Sequence, residues 1–151
     1  MYHSPIALLL WLLIILTTAF AMWKGGVPER VGALLNLVVA AADIPTHMLF
    51  NADGISSALL VADFVLAFGF LLLAVRYASV WIGGAMLLAA VQFSLHAYYI
   101  IDERPHDHTY GWINNLDTFG VVLLVLVSTI MTWRRSIREA RAERERAAKR
   151  R

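Results

Sequence analysis

A chain of 151 residues that is 60% hydrophobic, with a mean hydropathy of +0.65, exceeds the apolar content of a soluble domain, about 45–50%, and excludes an ordinary globular core. The net charge of +2 conceals a division: residues 134–151 hold nine of the thirteen Lys and Arg against three acids, +6, which leaves −4 for the body. The absence of cysteine excludes disulfides, thiolate metal sites, iron–sulfur ligation and thiol nucleophiles.

A membrane-crossing helix needs about 20 mostly apolar residues. Five such stretches follow one another, at 5–23, 29–49, 55–76, 80–101 and 113–133. The pattern predicts an all-α polytopic membrane helix bundle: a single five-helix transmembrane domain over 1–133, then a basic cytoplasmic helical tail over 134–151. The first stretch, Pro5 to Trp23, carries no charge. Ala19-Phe20-Ala21 resembles a signal-peptide cleavage site, but the apolar run is longer than the usual 7–15 residues and lacks basic residues before it, so it reads as a retained span.

The second span opens at Val27-Pro28-Glu29-Arg30, where Pro28 suits a first helical turn. Asn51-Ala52-Asp53-Gly54 is a polar turn before the third span, and Arg76-Tyr77-Ala78-Ser79 precedes the fourth. Asp102 to Trp112 reads as the longest loop. Trp133-Arg134-Arg135 closes the fifth span as an aromatic and basic interfacial stop. The tail beyond it has no Gly or Pro and is rich in helix formers, which predicts a continuation of the fifth helix. Arg135 with Glu139, and Arg141 with Glu145, are paired at i, i+4.

Positive charge sets the expected topology. With the tail in the cytoplasm, Lys24, Arg30, Arg76 and the nine tail residues fall inside, twelve in all, and only Arg104 falls outside. The expectation is a multi-pass protein of a bacterial inner (plasma) membrane, N-terminus outside and C-terminus cytoplasmic. The expected partners are the bilayer, anionic lipid at the basic tail, and a larger membrane complex or a homo-oligomer. No nucleic acid is expected, since the tail has no interleaved aromatics.

The informative residues are polar ones inside the spans. A rise of about 1.5 Å per residue puts Asp43 and Asp63 some 12 Å below the outer surface, with His47, His96 and Asp117 shallower. Ionisable groups inside a membrane are costly and mark a functional site by default. Asn36, Asp43 and His47 share one face of span two; Gln92, His96 and Tyr99 share a face of span four; Asn114, Asp117 and Thr118 do so on span five. Spans two to five are therefore expected to surround a pocket in the outer leaflet, with span one packed outside. Pro45 frees a backbone carbonyl beside this cluster. The inner halves of the spans read as Leu, Val and Ala, with Asn36 the one exception, so no path crosses the bilayer.

Asp43, His47, Asp63, His96 and Asp117 suit a divalent metal ion, zinc, manganese or iron, with His106 and His108 of the outer loop able to cap it. The plain alternative is that each His donates to a nearby Asp as polar glue. Haem on His47 and His96 is allowed by depth but disfavoured, two histidines being the minimum of many structural arrangements. No catalytic residue is assigned, because no nucleophile motif is present. The leading expectation is an accessory or subunit protein with an outward-facing polar, metal-binding pocket. The alternatives are an intramembrane metal-dependent hydrolase and a proton-coupled carrier or carrier subunit.

Gly25-Gly26-Val27-Pro28-Glu29-Arg30, directly after the first span, resembles the Gly-Gly-x-Pro-Glu-Arg-like turn of small multi-span bacterial inner-membrane proteins. That resemblance implies a membrane fold and no particular activity. The turn itself reads as flexible, with a helix-starting proline and an interfacial arginine. Gly69 and the Gly83-Gly84 pair are expected to permit close helix contact.

Overall fold

The computed structural model describes the backbone over 5–49, 52–103 and 107–150, and the side chains over the same residues except 43–49 and 52–56. Its elements are five helices: α1 (Pro5–Lys24), α2 (Val27–Leu49), α3 (Ala52–Tyr77), α4 (Val80–Ile101) and α5 (His108–Lys149). Each apolar stretch of the sequence is a helix. The main difference is at α5, which starts five residues before the expected span and runs without a break through the basic tail. Four helical stretches, 5–24, 57–77, 80–101 and 108–149, are long and apolar enough to cross a membrane.

The connections are short, so successive helices fold back on one another. α1 ends at Gly25, whose amide bonds to the Ala21 carbonyl at 2.8 Å. A Cβ on Gly25 would lie 2.6 Å from that same oxygen, so only glycine fits there. α3 and α4 are joined through Ala78 and Ser79 alone. Ala78 takes a left-handed φ of 44°, and its amide bonds to the Ala74 carbonyl at 2.9 Å.

The helices close into a ring in which α1 packs on α2 and α5, α2 on α3, α3 on α4, and α4 on α5, while α2 also meets α5 across the middle. The core is a cluster of Leu66, Phe70 and Leu73 from α3, Ile82, Ala85 and Ala89 from α4, and Val121 from α5. A smaller cluster joins Ala21, Ala33 and Val125. Leucines seat against glycines at several of these contacts: Leu35 against Gly69, Leu88 against Gly120 and Leu124 against Gly84. Small residues let membrane helices approach closely, which is what drives packing where lipid offers no hydrophobic contrast. Gly83 meets nothing, so of the expected pair only Gly84 is a contact.

The outer face is apolar too. Leu8, Val75, Leu87, Leu116 and Met131 are all more than half exposed. A monomeric soluble protein does not carry so much contiguous apolar surface. At one end Lys24 stacks on Trp23, with its ammonium 4.0 Å from the ring centroid and 5.5 Å from that of Trp133, against which Phe20 packs edge-on. Aromatic and basic residues of this kind gather at membrane–water interfaces. Past this level α5 is exposed on every side from Arg134 onward. Its sixteen residues over 134–149 extend about 24 Å further at the helical rise.

Candidate functional site

The site lies at the end of the bundle opposite Trp23, Lys24 and Trp133. Its centre is His96, in the last two turns of α4 and 3% exposed. Nδ1 of His96 pairs with the carboxylate of Asp63 on α3, and Nε2 pairs with the hydroxyl of Tyr110 in the first turn of α5. Asp63 is itself 3% exposed. With a carboxylate as acceptor, Nδ1 carries hydrogen. Nε2 then accepts from Tyr110 when the ring is neutral and donates to it when the ring is charged.

Local structure places Tyr110 over the histidine. Asp107 is the N-cap of α5, its Oδ1 accepting from the Tyr110 amide at 2.8 Å. A side-chain oxygen satisfying one of the first free amides is the usual start of a helix. The same Oδ1 accepts from the Tyr99 hydroxyl at 2.7 Å, which ties the loop back to α4. The Tyr110 ring meets those of His96 and Tyr99 with centroids 5.2 and 5.1 Å apart. One carboxylate thus caps a helix, anchors a loop and aims a tyrosine at an imidazole.

Asp117 lies seven residues beyond Tyr110 on the same face of α5, with Asn114 between them at i+4. Asp117 is 5% exposed. Among the described residues, Asp117 Oδ2 and Asn114 Oδ1 are buried and have no hydrogen-bond partner. Buried polar atoms are nearly always paired, so two such atoms one turn apart call for an explanation.

Of the residues expected from sequence, Asp63, His96, Tyr99, Asn114 and Asp117 stand at this one end. Gln92 is half-buried one turn before His96, and Asn36 is buried on α2. His108 is exposed at the start of α5. The side chains of Asp43 and His47, and all of His106, lie outside the described residues, as does the side chain of Pro45. Among the described residues, no group of three or more His, Asp or Glu is disposed to hold a metal ion. His96 has both nitrogens engaged by protein oxygens, as the polar-glue alternative expects.

Tyr110 and Asp107 were not singled out from the sequence. The signal was there: Tyr110, Asn114 and Asp117 follow the i, i+4, i+7 rule, but a fifth span starting at 113 leaves Tyr110 in a loop.

The apolar inner half is a second correction. At the Lys24 end Glu29 is only 4% exposed. Its Oε2 accepts from the Gly26 amide at 3.0 Å, and its Oε1 from Ser128 at 2.6 Å and Thr132 at 3.1 Å. Glu29 at the third helical position reaching back to the residue before the helix is half of a capping box. The Gly-Gly-x-Pro-Glu-Arg turn is therefore a tight clamp: Arg30 Nε also donates to the Gly25 carbonyl at 3.0 Å. Asn36 lies two turns along α2 from Glu29, about 10 Å at the helical rise, and Asp117 three turns before Ser128 on α5, about 16 Å. Buried polar groups thus stand at three levels, with Val121 and Val125 filling the α5 face between Asp117 and Ser128.

What fold and site define is a class: a helix bundle with several membrane-capable helices and a buried Asp–His–Tyr chain at one end. Comparison with protein-family models, curated proteins and solved structures finds no match to this chain.

Proposed function

We propose that the protein is a five-span integral membrane protein, of a bacterial inner membrane, that accepts and releases a proton at the Asp63–His96–Tyr110 chain. It acts as the proton-handling subunit or accessory of a larger membrane assembly. The single observation behind this reading is the two-sided engagement of His96, whose imidazole can take a proton on one nitrogen and give one up on the other. Chains of Asp and His inside membrane proteins commonly serve as proton relays.

The basic residues Lys24, Arg30, Arg76 and the tail argue for a cytoplasmic Glu29 end. The site then opens outward, where Asp102, Glu103 and Asp107 give the surface a negative cast. The apolar stretch between Asp117 and Ser128 argues for a subunit rather than a self-sufficient carrier. Anionic lipid fits only the first turns of the exposed α5 extension. Its far end stands off the membrane by more than the roughly 8 Å screening length at physiological salt.

The test is infrared difference spectroscopy of the purified protein in detergent, on a pH step across about 5 to 8, the range in which imidazoles change charge. Beyond the bands of the other four histidines, paired imidazole and carboxyl bands are expected, both absent in His96→Gln and the carboxyl one absent in Asp63→Asn. A parent spectrum indistinguishable from that of His96→Gln would overturn the reading.

A further inference from the structure

Asp117 Oδ2 and Asn114 Oδ1 are acceptors buried one helical turn apart on α5, with no hydrogen-bond partner among the described residues. Lys24, Arg30, Arg76 and the tail arginines are at the opposite end of the bundle, and the Asp63 charge is already engaged by His96. One carboxylate is left unspent in a low-dielectric setting, with an amide carbonyl next to it. An isolated charge there is costly, and a buried carboxyl of this kind is met by a proton, a pairing partner or a bound ion.

We propose that Asn114 and Asp117 bind a single alkali-metal cation. Oxygen ligands alone select a hard cation. One carboxylate matches a single positive charge, whereas a calcium site gathers several carboxylates. The inference deepens the proton-handling reading and rests on it, by placing a cation next to the relay so that occupancy of one bears on the protonation of the other.

The experiment is thermal unfolding of the full chain in detergent at fixed pH and ionic strength, with sodium chloride replaced stepwise by choline chloride. The midpoint is expected to rise with sodium in the parent and in His96→Gln, and to lose that dependence in Asp117→Asn. Sodium-23 line broadening by the parent protein, absent in Asn114→Leu, gives the same answer if Asp117→Asn does not fold. A midpoint indifferent to sodium, a sodium effect that survives in Asp117→Asn, or a larger effect of calcium would each overturn the proposal. Loss of the proton signal in the infrared test with sodium dependence intact would count against the relay alone.

Discussion

The imidazole of His96 is clasped between Asp63 of α3 and Tyr110 of α5, so three helices meet in one buried side chain. The members of the chain are not equal in what they hold. Removing one partner of a buried ionic contact strands the other, at a cost of about 3–5 kcal/mol. Losing one neutral hydrogen bond costs about 1 kcal/mol. His96→Ala is therefore expected to destabilise the bundle far more than Tyr110→Phe. Thermal unfolding followed by size-exclusion retention in detergent ranks them, and equal midpoints for the two variants would contradict the geometry.

Glu29 makes a second prediction. It is the shared acceptor for Gly26, Ser128 and Thr132, joining the start of α2 to the middle of α5. Hydrogen bonds to a charged group are worth about 1.5–3 kcal/mol each, and of the donors left behind Ser128 stays buried. Glu29→Ala is expected to cost about 3 kcal/mol or more on that scale. Glu29→Gln keeps the acceptor for Ser128 while opposing the Gly26 amide with a donor, so an intermediate loss is expected. A Glu29→Ala midpoint within error of the parent would show that the clamp contributes nothing.

Much of this architecture is legible in the sequence because the bilayer leaves few options: an apolar run of about 20 residues has to be a helix. Hence α1 and α4 fall within a residue of their expected limits. The gathering of Asp63, His96 and Asp117 was legible for the same reason, since depth follows from counting along each helix. What counting does not give is rotation about the helix axis. His96 could have met an ion or a partner side chain, and only packing of α3, α4 and α5 decides for Asp63 and Tyr110. Glu29 was hidden by position: a charge in the first turn after a Gly-Gly pair reads as interfacial, whereas Ser128 and Thr132, about three and four turns down α5 from Asp117, turn it inward.

The α5 extension supports a third prediction. From Arg134 to Arg150 every residue is exposed, and the side-chain contacts there are local: the Arg135–Glu139 pair at 2.9 Å, Ser136 to the Trp133 carbonyl at 2.8 Å and Arg138 to the Arg134 carbonyl at 3.4 Å. Exposed pairs of this kind contribute at most about 1 kcal/mol. Truncation after Ile137 is expected to leave the unfolding midpoint of the bundle unchanged in detergent. A large drop would mean that the extension packs on something, most simply a second copy.

Two glycines of similar composition and opposite environment give the last prediction. A Cβ at Gly25 would press to 2.6 Å on the Ala21 carbonyl oxygen, a backbone atom held by its own hydrogen bond. Relief requires the α1–α2 joint to move, and with it the Gly26 amide that Glu29 accepts from. A Cβ at Gly83, in the first turns of α4, meets nothing within 4 Å. There the substitution only removes the conformational freedom of glycine, worth about 0.5–1 kcal/mol in a helix. Gly25→Ala is expected to lower the midpoint and Gly83→Ala to raise it slightly. The sign difference is the measurement that matters, because a general intolerance of the bundle to added methyl groups would lower both, and a loose α1–α2 joint would leave Gly25→Ala unchanged.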